Sequence, residues 1–208
     1  MIGATVALAF FGAAVLLALS PGPDNLFVLM QSATHGRRAG LLVTLGLCTG
    51  LLGHTAAVAL GLAAVLAASP WAFWALKLLG AAYLLYLAWG AWWAPTGPID
   101  TTRVPPLRPL AAYGRGIVMN LTNPKVALFF LAFLPQFADP ARGAVGWQIL
   151  QLGALFMVAT LLTFGSFAVF AGWIGGALRR SARAQRALNR AAAVVFAGLA
   201  ARLAFASR

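Results

Sequence analysis

The sequence contains no glutamate, three aspartates, one cysteine and two histidines among its 208 residues. Without Glu, a carboxylate-rich metal cage has too few oxygen ligands. With Cys48 alone, neither an intrachain disulfide nor a dithiol redox pair can form. No acid is spaced to orient His35 or His54, and no Cys/His group has zinc-site spacing, so no enzyme, metal or cofactor is expected. Charged residues make up 9% of the chain and hydrophobic residues 62%, with a mean hydropathy of +0.89. That is too little polar side chain to cover a water-soluble globule of this size, so lipid is the expected solvent.

A spanning helix needs about 20 mostly apolar residues. Six stretches meet this: 2–32, 39–68, 71–94, 111–137, 145–172 and 188–206. Alternating strands of a barrel are absent, and the Ala and Leu content favours helix. The first stretch has no basic residue before it and five more follow, so it reads as a helix rather than a secretory signal. Trp71, Trp74, Trp92, Trp93 and Trp147 fall at span ends, where interfacial anchoring accounts for them.

The net charge of +12 would suggest nucleic acid in a soluble protein, but here the placement of the cations matters more. Ten of the 15 lie in or beside alternate loops: Arg37 and Arg38; Arg103, Arg108 and Arg115; Arg179, Arg180, Arg183, Arg186 and Arg190. The other junctions hold only Arg142 and Arg208. The positive-inside rule makes the basic loops cytoplasmic and both termini external, so the partner is membrane lipid and not nucleic acid. Lys77, Lys125 and Arg202 fall within spans, and Arg202 lies near enough to a helix end to snorkel.

The polar, proline-rich segment 95–110 reads as a linker between halves 1–94 and 111–208 of a single transmembrane domain. Three helices per half is an odd number, so the halves run oppositely through the membrane as an inverted 3+3 repeat. Both halves carry a polar interruption in their first span: Ser20-Pro21-Gly22-Pro23-Asp24-Asn25 and Asn120-Leu121-Thr122-Asn123-Pro124-Lys125. Proline removes a backbone donor and breaks the helix, so helices 1 and 4 are expected to be discontinuous. Broken helices in matching positions are the sequence mark of a transporter's binding site.

Asp24 is the only acid in any apolar stretch, and a membrane-buried acid is functional by default; an N-cap for the helix resuming after Pro23 is its structural alternative. Lys125 is its natural counter-ion, either in a site or as a pin between helices 1 and 4. Asn25, Asn120 and Asn123 either face a zwitterionic ligand or satisfy freed backbone. His54 is a proton relay or an interhelix hydrogen-bonder, and Lys77 a site cation or a snorkelling one. Gly46, Gly50, Gly53 and Gly61 form a small-residue stripe that suits close packing within the bundle or a homodimer.

The chain resembles the lysine exporter (LysE) superfamily and its homoserine/threonine resistance (RhtB) branch. The Pro21-Gly22-Pro23-Asp24 motif is followed at the family's interval by Gly36-Arg37-Arg38-Ala39-Gly40, and then by Lys77-Leu78-Leu79-Gly80-Ala81-Ala82-Tyr83-Leu84. Asn123-Pro124-Lys125 and Leu134-Pro135-Gln136-Phe137 complete the likeness, while Arg190-Ala191-Ala192-Ala193 departs from the family's glycine-rich final helix. The resemblance implies a bacterial inner-membrane exporter of amino acids driven by the proton gradient. Threonine, homoserine or leucine suit a site with one acid. The alternatives are an exporter of another small solute or a cation, an intramembrane enzyme, or an assembly subunit.

Overall fold

The structure is a computed structural model that describes residues 2–20, 22–68, 70–96, 107–171 and 181–205. Pro21, Arg103, Arg179, Arg180 and Arg208 lie outside the described residues, as do most of the 95–110 linker and the side chain of Arg202.

Among the described residues every regular element is helical: α1 (Ala4–Leu19), α2 (Pro23–His35), α3 (Arg37–Ala68), α4 (Pro70–Trp92), α5 (Pro109–Leu121), α6 (Pro124–Leu128), α7 (Val145–Val169) and α8 (Ala182–Phe205). Between α6 and α7 run a π turn (Phe129–Phe133) and two 3-10 turns (Leu134–Phe137, Pro140–Arg142). Prolines set the starts. Pro23, Pro109 and Pro124 each occupy the first turn of a helix, where the missing N–H has no intrahelical acceptor to lose. A single residue, Gly36, turns the chain from α2 into α3 at φ 84°, a conformation that favours glycine.

Among the described residues, three helical segments are long and apolar enough to cross a bilayer alone: Arg37–Gly61, Val145–Val169 and Gln185–Phe205. Two bent pairs raise the number to five: Ala4–Leu19 with Pro23–His35, at 63°, and Pro109–Leu121 with Pro124–Phe137, at 49°. The two stretches expected to be interrupted are thus the two that bend. α4 covers the third stretch of the sequence, although several of its side chains lie outside the description.

α3 lies at the centre, packed by α5, α7 and α2, while α4 packs along α8 and against the π turn, and α1 along α7. Phe10, Phe129, Phe130, Phe133, Phe137 and Phe156 fill the space where α1 and α7 meet the turns after α6. Their rings interlock, with Phe129 and Phe133 centroids 4.8 Å apart and Phe10 and Phe137 5.1 Å apart. The glycine stripe is used inside the chain. A Cβ at Gly46 would strike the Tyr113 carbonyl, and one at Gly50 would come within 2.7 Å of the Asn120 side chain. Gly53 faces Leu121, whereas Gly61 has open space around it. Trp71, Trp74, Trp92, Trp93 and Trp147 are all exposed, as membrane-interface residues should be.

Candidate functional site

At the first break α1 stops at Leu19, the backbone runs extended through Ser20 and Gly22, and Pro23 restarts the helix. A helix end leaves carbonyls without intrahelical donors. Side chains supply them here. Lys125 Nζ donates to the carbonyls of Leu17 (3.3 Å) and Ser20 (3.2 Å) and to Ser20 Oγ (3.3 Å). Ser20 Oγ in turn donates to Leu17 O (2.7 Å), and Asn25 Nδ2 donates to Ala18 O (2.5 Å). A cation at a helix C-terminus is also favoured by the helix dipole. Gly22 leaves room for it, since a Cβ there would lie 3.1 Å from Lys125 Nζ.

At the second break α5 ends at Leu121 and Asn123 becomes the N-cap of α6, its Oδ1 accepting from the Lys125 backbone N–H (3.0 Å). Its Nδ2 donates to Asp24 Oδ2 (2.8 Å), which joins the two motifs directly. His54 Nε2, from α3, donates to the Asn120 carbonyl (3.1 Å) near the end of α5. Asp24, Asn25, Asn120, Asn123 and Lys125 are each at most 7% exposed.

Two expectations change. Asp24 is not an N-cap: Gly22 holds that position and no side chain caps it. Nor do Asp24 and Lys125 form a direct ion pair; the carboxylate is held by Asn123, and the ammonium is engaged by the oxygens of Leu17 and Ser20. Of the remaining candidates, His35 lies beside the exposed Thr34 hydroxyl, and the buried Lys77 places Nζ 4.4 Å over the Trp74 ring.

Four buried oxygens at or near the breaks have no hydrogen-bond partner: Asp24 Oδ1, Asn25 Oδ1, Asn120 Oδ1 and Gln31 Oε1. Gln31 was not singled out by sequence. Its signal is a spacing of seven from Asp24, which returns it to the same face of α2. The side chains of the junction are buried. Two cavities lie away from it: one of about 270 Å³ beside the start of α1, near Asp139 and Arg142, and one of about 220 Å³ between Trp92, Trp93 and Arg190.

The LysE type translocator family model matches residues 15–207. An uncharacterized membrane protein of Pseudomonas aeruginosa is 33% identical over 199 residues, covering 93% of this chain and 92% of its own. A homoserine/homoserine lactone efflux protein of Salmonella typhimurium is 34% identical over 203 residues, 95% of each chain. A leucine efflux protein of Enterobacter sp. (strain 638) is 30% identical over 193 residues, 92% of this chain and 91% of its own. No solved structure matches. The chain therefore belongs to the LysE type translocator family and is a multi-pass membrane transport protein, with its two broken helices joined through Asp24 and Asn123.

Proposed function

We propose that this protein exports amino acids across a bacterial inner membrane in exchange for inward protons, by alternating access around the junction of its two broken helices. The observation that carries this reading is the buried Asp24–Asn123 hydrogen bond, which ties an ionisable group in one half to the break in the other. An intramembrane acid costs several kcal/mol unless hydrated, protonated or partnered. A group whose partner sits on another mobile helix changes its proton affinity when the two separate.

Six spanning helices in two inverted halves, with both termini outside, form the frame. The packing supports a pseudo-twofold relation: α3 pairs with its counterpart α7, α4 with α8, and the contact of α3 with α5 is matched by that of α7 with α1. The relatives named for homoserine, homoserine lactone and leucine efflux support small neutral substrates. So does the single acid at the junction, which can neutralise one ammonium and not two.

The experiment is Asp24→Asn in proteoliposomes with an imposed pH gradient. Proton-driven efflux of homoserine or leucine is expected to fall to background. Efflux at the wild-type rate would remove Asp24 as the coupling group.

A further inference from the structure

The four unpartnered oxygens share one property. Asp24 Oδ1, Asn25 Oδ1, Gln31 Oε1 and Asn120 Oδ1 are all acceptors, and no buried side-chain donor among the described residues is orphaned with them. A buried polar atom left unpaired costs about 1–3 kcal/mol, more when charged. Such atoms call for an explanation, and a ligand that donates is one.

Three side-chain donors at the junction are already engaged. Lys125 Nζ reaches three oxygens, Asn123 Nδ2 holds Asp24 Oδ2, and Asn25 Nδ2 holds Ala18 O. What the junction leaves without any partner is oxygen, the atom type that an ammonium seeks. Asp24 and Asn25 are neighbours in the first turn of α2, each at most 4% exposed. Gln31, 1% exposed, follows Asp24 by seven residues, about 20° away around α2 and about 10 Å further along it.

We propose that Asp24 Oδ1 and Asn25 Oδ1 form the subsite for the substrate's ammonium group, and that Gln31 Oε1 is a second acceptor station on the same face of α2. The inference rests on the reading of the junction as an amino-acid site and sharpens it: the protein recognises the amine end. Its substrate class therefore extends to amino acids whose carboxylate is esterified and stops at those whose amine is acylated.

The test is calorimetric binding to the full-length protein in nanodiscs, with L-leucine, L-homoserine, L-leucine methyl ester and N-acetyl-L-leucine as probes. Acetylation is expected to weaken binding about 10- to 100-fold, the loss of a hydrogen bond to a charged group, and esterification by a smaller factor. Equal affinity for leucine and N-acetyl-leucine overturns the ammonium subsite and leaves the amino-acid reading standing. Failure of all four probes to bind overturns both. Replacing sodium by choline in the buffer should change nothing; loss of binding would assign the oxygens to the metal cation and overturn the proposal. Gln31→Leu removes an orphaned acceptor, so the variant should melt no lower than the parent while exporting leucine more slowly. Export at the parental rate would remove Gln31 from the path.

Discussion

At the first break the end of α1 is closed by Lys125, a residue of the other half of the chain, while at the second the end of α5 is closed by His54, again from the opposite half. The exchange is reciprocal but unequal. Lys125 brings a full charge and reaches three oxygens; His54 brings one hydrogen bond, 3.1 Å long. The restarts differ in the opposite sense. α6 has a side-chain cap in Asn123, whereas α2 starts from Gly22 with none, and its first turn carries the acid. The first break is thus the one where charge collects, and the second supplies the neutral groups that hold it in place.

This comparison predicts an order of effects. Lys125→Met leaves the Ser20 carbonyl without its donor and the Leu17 carbonyl with Ser20 Oγ alone, and should cost the most, about 3 kcal/mol in detergent unfolding, because hydrogen bonds to charged groups carry about 1.5–3 kcal/mol. A loss no larger than that of a His54 variant would break the comparison. Asn123→Ala removes a cap worth about 1 kcal/mol and also the bond to Asp24. It should therefore lower both stability and proton-coupled efflux. Asn123→Asp keeps the cap and loses the donor, so restored stability with efflux still impaired would separate the two roles. His54→Phe should cost least, about 0.6 kcal/mol, the mean for interhelical hydrogen bonds in membranes. A drop in melting temperature as large as that of Lys125→Met would mean that the second break depends on His54 as heavily as the first depends on Lys125.

The places where the helices break were readable in sequence because Pro23 and Pro124 combine a missing donor with adjacent polar residues inside apolar stretches, a conflict that only a local interruption resolves. Which side chain meets which was not. Nothing in the spacing distinguishes Asn123 from Asn25 or Asn120 as the partner of Asp24; that choice depends on the phase of α6 relative to α2, set by bends of 63° and 49°. Charge alone suggested pairing Lys125 with Asp24, but the open carbonyls of α1 compete for the same ammonium. Gln31 lies beyond the proline motif, where no break marks it; its signal is the polar row that α2 buries there and that an uninterrupted lipid-facing helix would not keep. The spacing of the glycine stripe suits a dimer as well as the bundle; the structure places Gly46 and Gly50 against α5.

The closeness of α3 and α5 limits how the molecule can move. Gly46 and Gly116 bring two backbones together so tightly that a Cβ on either would strike a main-chain carbonyl of the other helix. One of these helices belongs to the first half of the sequence and the other to the second. Swinging the halves apart as two blocks would have to tear that seam. A pivot that spares the seam must run between the α3–α5 pair and the helices around it, cutting across the two halves of the sequence rather than between them.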